Sequence, residues 1–81
     1  MDFSSALLNL KAGDRMAREG WNGKGMWLVI IDDWTPAPYE PAAAAGLEVA
    51  PFIAMKTADN KVVPWLASQT DILATDWVIL E

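Results

Sequence analysis

The sequence predicts an α+β fold: an N-terminal helix packed on a small antiparallel β-sheet, with a short second helix near the C-terminus. Three observations predict it. Apolar residues recur at helical spacing in the first ten positions, and five later runs have strand length. A Ser-x-x-Asp string interrupts the strands near the end, where a helix start is expected. All of residues 1–81 are read as a single domain, with 32–50 as a Pro/Ala-rich loop or insertion.

Phe3, Ala6, Leu7 and Leu10 fall at i, i+3, i+4 and i+7, one apolar stripe of a helix. Asp2 supplies the N-cap, and Gly13 the C′ residue that enters the left-handed region. Residues 15–19 alternate as a short strand. Three glycines between Gly20 and Gly25 make the next segment a loop. Met26 to Ile31 is a continuous apolar run rich in β-branched residues, hence a strand. Being apolar on both faces, it is central in its sheet or covered by another subunit. In 32–50, Pro41 and Gly46 would frame one helical turn, and Trp34 and Tyr39 lie within the same stretch.

Phe52 to Thr57 and Lys61 to Trp65 read as a hairpin, turned by Asp59-Asn60 as a two-residue loop. Pro64 marks an edge or an exit, since proline cannot donate to a ladder. Ser68-Gln69-Thr70-Asp71 fits a capping box, in which Ser68 and Asp71 satisfy each other's backbone N–H groups, before a helix over 71–74. Residues 76–80 close the chain as a last strand.

Composition removes whole classes of function. With no cysteine there are no disulfides, thiolate metal sites or Cys nucleophiles, and with no histidine the usual general base and His-based zinc sites are gone. A net charge of −5 argues against a coat for DNA or RNA. No apolar run approaches the ~18 residues of a membrane span, and Met1-Asp2-Phe3 lacks the basic start of a secretory signal. The expectation is a soluble intracellular protein. Apolar residues (AVILMFWYC) make up 53% of the chain, more than so small an interior can hide. The surplus predicts a homo-oligomer.

Charge is uneven along the chain. Residues 1–27 carry Lys11, Arg15, Arg18 and Lys24 against three acids, a balance of +1, whereas 28–81 balance at −6. An anion is expected near the N-terminal third or near Lys56. The Gly20–Gly25 loop carries Lys24 but matches neither phosphate-loop pattern, so a plain hairpin loop and a ligand loop both stand. Trp27 and Trp77 lie in apolar strand runs and read as core or subunit interface. Trp21 and Trp65 lie at loop–strand junctions, where an aromatic ring either packs over the sheet or stacks on a nucleobase. Asp32-Asp33 point to opposite faces of an extended chain, and no acid spacing forms a metal clamp. No catalytic residue, metal ligand or cofactor is assigned.

The strings Arg18-Glu19-Gly20-Trp21-Asn22-Gly23-Lys24-Gly25, Pro51-Phe52-Ile53-Ala54-Met55-Lys56-Thr57 and Pro64-Trp65-Leu66-Ala67-Ser68-Gln69-Thr70-Asp71, with Asp76-Trp77 near the end, resemble the second Thoeris anti-defence family of small phage and prophage proteins. The likeness spans nearly the whole chain outside 32–50. It implies a sponge that binds a cyclic ADP-ribose isomer made by bacterial TIR-domain defence proteins and holds it intact, in the cytoplasm of the infected bacterial host. Some members of that family also capture cyclic dinucleotides, and the family assembles as a homotetramer. On matching positions, the resemblance implies that Trp21 and Trp65 stack on a base. It implies that Asn22, Lys24, Arg18, Ser68, Gln69, Thr70 and Asp71 bond ribose and phosphate. The contrasting expectations are a phage structural or protein-interaction protein without a nucleotide ligand, and a small nucleotide-cleaving enzyme built on carboxylates and a divalent ion.

Overall fold

The helix that opens the chain is closed at both ends by the residues its sequence assigns to the task. The computed structural model describes residues 1–21, 25–32, 46 and 50–80, and α1 spans Phe3–Lys11. The Asp2 carboxylate accepts the Ser5 backbone N–H at 2.9 Å. At the other end Gly13, at φ +96°, donates its N–H to the Leu10 carbonyl at 3.0 Å, and Asp14 donates to the Asn9 carbonyl at 3.0 Å. That pair of bonds is a Schellman closure, which needs a residue without a Cβ at the turn.

The strands follow as β1 (Arg15–Arg18), β2 (Trp27–Ile31), β3 (Phe52–Lys56), β4 (Val62–Pro64) and β5 (Trp77–Leu80), with helix α2 (Gln69–Leu73) before β5. They form one sheet in the order β4-β3-β2-β1-β5, every neighbouring pair antiparallel. The apolar run of β2 takes the central position its two apolar faces demand. Pro64 sits on the edge strand β4, where a missing N–H breaks no ladder.

Register assigns each residue a face. Met16 pairs with Leu28, Leu28 with Met55, Ile30 with Ile53, and Arg18 with Trp77. This face meets α1, and Ala6 and Leu10 from the helix join Met16, Leu28 and Trp77 as the buried core. By strand alternation, Ala17, Trp27, Val29, Ala54, Val78 and Leu80 project to the opposite face.

Four details differ from the sequence reading. First, β1 ends at Arg18, because Glu19–Trp21 winds into a single 3-10 turn. Second, the β3–β4 connection is a three-residue loop: Thr57 donates to the Lys61 carbonyl at 2.8 Å, and only Asn60 takes a positive φ, +64°. The Thr57 hydroxyl accepts the Lys61 N–H at 2.9 Å, filling the bond that a two-residue turn would have made through the backbone.

Third, α2 begins at Gln69 rather than Asp71. Fourth, its capping box is half made. Ser68 Oγ accepts the Asp71 N–H at 3.1 Å, but the Asp71 carboxylate serves other donors described below. The helical turn framed by Pro41, with Trp34 and Tyr39, falls outside the described residues.

Two leucines on α1 separate burial from position. Leu10 is 1% exposed and Leu8 is 68% exposed. Leu10→Ala should cost about 2–5 kcal/mol, whereas Leu8→Ala should stay within about 0.5 kcal/mol of the parent. Urea denaturation followed by tryptophan fluorescence measures both.

Candidate functional site

The end of β1 is held by a clasp of charge. Arg18 donates from Nε to Asp76 Oδ1 at 2.8 Å and from one terminal nitrogen to Asp71 Oδ1 at 2.8 Å. Asp76 also accepts the Gly20 backbone N–H at 3.2 Å, and its carbonyl accepts the Glu19 N–H at 3.0 Å. Asp71 Oδ2 accepts the Ser68 hydroxyl at 2.9 Å, and the Asp71 carbonyl accepts the Trp77 indole N–H at 3.0 Å. One guanidinium therefore ties β1, the 3-10 turn, α2 and the lead into β5. The bond to Arg18, supported by the Gly20 N–H, holds the Asp76 carboxyl below the ordinary carboxylate range. Asp76 and then Asp71 raise Arg18 in return. The trio carries one positive and two negative charges, so its cation is fully spent.

Beside the clasp, aromatic rings gather around Trp77. Phe3 lies 5.4 Å from it, Trp21 meets it edge-to-face at 5.5 Å, and Trp65 does so at 6.0 Å. Phe3 and Trp65 also meet each other at 5.9 Å. These are favourable aromatic geometries and they fix the orientation of Trp21.

Next to Trp21 opens a cavity of about 680 Å³. Its floor is apolar, from Ala17, Val78 and Leu80, and Arg18, Glu19, Trp21, Gly25, Met26 and Trp27 line its walls. The floor residues belong to the sheet face turned away from α1. Two further cations approach the walls. The Arg15 guanidinium lies over the Trp27 ring, 5.3 Å from its centroid. Lys56 Nζ, from the residue paired across the sheet with Trp27, donates to the Gly25 carbonyl at 2.6 Å.

Of the residues singled out in the sequence, Arg18 and Trp21 line this cavity, and Ser68 and Asp71 join Arg18 in the clasp next to it. Gln69 and Thr70 lie exposed on the first turn of α2. Trp65 packs on the α1 side with Phe3 and is not among the lining residues. Asn22 and Lys24 fall outside the described residues. Trp27, read from sequence as core or interface, is half-buried in a cavity wall, whereas Trp77 is fully buried. The part played by Arg15 at the ring of Trp27 had no local sequence signal. For Lys56 the charge map was the signal. Among the described residues, no group of three acidic side chains is placed to hold a metal ion.

Comparison with known proteins adds a relationship to this geometry. A family model for the Thoeris anti-defense 2-like domain matches residues 1–80. The chain is also similar to Thoeris anti-defense 2 of Bacillus phage SP01, at 40% identity over 84 aligned positions that cover 99% of this chain and 94% of that protein.

The clasp gives stability a pH dependence of known sign. A carboxyl whose folded pKa is depressed contributes fully above its unfolded value, and the contribution fades as pH falls through the folded value. Thermal melts should therefore lose midpoint from about pH 4 downward. Asp76→Asn should lower the midpoint at pH 7 and make that acid limb shallower. Asp2 and Asp59, also held below their ordinary value by Ser5 and Thr57 respectively, keep part of the limb in the variant.

Proposed function

We propose that this chain, which belongs to the Thoeris anti-defense 2-like family and shares its phage anti-defence role, binds a cyclic nucleotide immune signal beside Trp21 and holds it unaltered. The make-up of the cavity carries the proposal. Its volume, about 680 Å³, lies within the roughly 300–1,000 Å³ of small-molecule sites. Two indole rings stand in its walls over an apolar floor, which suits a purine: stacking on an aromatic is worth roughly 1–3 kcal/mol per base. A cyclic ADP-ribose isomer, bearing adenine and a diphosphate, is the signal the reading names first. Cyclic dinucleotides are the second class.

Retention rather than turnover is supported by how two of the three nearby acids are used. Of the three acids at or beside the cavity among the described residues, Asp71 and Asp76 both face Arg18, while Glu19 lines the wall. A general base needs a carboxylate free to take a proton near neutral pH, and Asp76 is biased the other way. The site is therefore read as non-catalytic, without a cofactor, and working in the cytoplasm of the infected bacterial host, where such signals are made.

The assembly proposed is a homo-oligomer, a tetramer by family resemblance. The apolar floor of the cavity continues along the sheet through the half-buried Val29, on the face α1 does not cover. A second copy laid on that face would bury it and narrow the mouth of the cavity.

Calorimetry against the cyclic ADP-ribose isomer should detect binding, and heating the complex should release the compound with unchanged mass. Recovery of a cleaved product would overturn the proposal. Trp21→Ala should weaken binding about 5- to 150-fold, while Trp65→Ala should lower the melting point and leave the affinity of the folded protein unchanged. A protein-interaction role instead predicts no thermal stabilisation by any nucleotide, where a ligand at 100 times Kd would add about 2.7 kcal/mol.

A further inference from the structure

A protein of net charge −5 repels a diphosphate unless it keeps cations near the site that no carboxylate neutralises. Among the described residues, three cations approach the cavity, and they are not equivalent. Arg18 spends its charge on Asp71 and Asp76, each at 2.8 Å. Arg15 and Lys56 have no carboxylate within ion-pair distance among the described residues; by contrast Lys61, remote from the cavity, pairs with Asp59 at 3.4 Å.

Both of these cations are placed through one aromatic residue. Trp27 lies on the central strand, with β1 on one side and β3 on the other. Lys56 is its direct cross-strand partner, so the two side chains rise from the same face. The Arg15 guanidinium carbon, from β1, lies over its ring at 5.3 Å from the centroid. A guanidinium held over a ring face by cation–π attraction keeps its N–H donors for other acceptors. Lys56 uses one of its three donors on the Gly25 carbonyl and keeps two. That carbonyl belongs to a cavity-wall residue, so the ammonium stands one hydrogen bond from the wall, although Lys56 and Arg15 are not themselves lining residues.

We infer that Arg15 and Lys56, with Trp27 between them, form the anion-recognition strip of the cavity and contact the diphosphate of the nucleotide, while Arg18 is a structural cation that does not. The inference rests on the nucleotide reading above and assigns the charge recognition within it. Trp27 serves as the rigid post between the two cations. A diphosphate accepts from an Arg edge and a Lys point charge together, which discriminates against a nucleoside that lacks the phosphates.

Two measurements test it. Lys56→Gln and Arg15→Gln should each weaken calorimetric binding of the cyclic ADP-ribose isomer about ten- to a hundredfold and flatten its salt dependence. Lys56→Arg should retain most of the affinity. Unchanged affinity and an unchanged salt dependence in both Gln variants would overturn the inference. Inorganic pyrophosphate, followed by nitrogen-15 NMR, tests the strip without the nucleotide. It should shift the Gly25 amide and the Trp27 indole in the parent chain and not in Lys56→Gln, whose spectrum also reports that it is folded. Shifts with pyrophosphate but no binding of the cyclic compound would sink the nucleotide reading and leave the strip standing. Absence of pyrophosphate shifts at Gly25 and Trp27 overturns the strip itself.

Discussion

One guanidinium shared between two carboxylates is the constraint on which the rest of this small structure depends. The last strand, β5, must return across the sheet to lie beside β1, and the short helix before it has too few residues to be stable alone. Arg18 solves both problems at once. It reaches Asp71 inside α2 and Asp76 at the entry to β5, pinning the chain on either side of the turn between them. The three side chains are only partly exposed, 17–30%, so the pairs are less screened than free surface ion pairs. Their geometry is charge-assisted and short, which adds direction as well as energy.

Trp77 turns this polar clasp into a packed core. Its indole N–H is satisfied by the Asp71 carbonyl, so the ring can be fully buried without leaving a polar atom unpaired. Around it lie Phe3 from α1, Trp65 from the end of the hairpin, and Trp21 from the 3-10 turn. Segments distant in sequence thus share one aromatic centre. The consequence for function is positional: Trp21 is braced from behind by a buried ring, which fixes the wall of the cavity before any ligand arrives. A braced aromatic loses little conformational freedom on binding, and the entropy cost of association falls accordingly.

What the sequence disclosed and what it withheld divide along contact distance. Asp2, Gly13 and Ser68 were legible because a cap is a bond between residues three to five apart. Pro64 and the apolar run of β2 were legible because edge and centre impose opposite chemical demands. The half-made capping box was not, since Asp71 has a stronger donor in Arg18, 53 positions away. Local pattern cannot weigh a competitor it does not see. The same holds at the cavity. Trp27 looked like core because its neighbours are apolar, yet its wall position comes from pairing with Lys56 on another strand. Arg18 was expected as a phosphate contact because the family resemblance implied it. Its two acids arrive only with the fold.

Those two faces of the sheet explain how a chain this short can fold and still keep a site. The face toward α1 is closed by leucine, methionine and tryptophan, and carries the burial that sustains folding. The other face is apolar beneath the cavity, yet Arg15 and Lys56 border it with charges that no acid among the described residues offsets. Had Arg18 been left free, α2 and β5 would have lost their tether, so the fold consumes the cation nearest the cavity. Among the described residues, the cations left beside the cavity for anion recognition stand on strands whose positions the ladder fixes. These are Arg15 and Lys56, both on regular β-structure either side of Trp27. Net charge therefore says little about which ligand such a protein accepts. The decisive quantity is which cations remain after the fold has used its own.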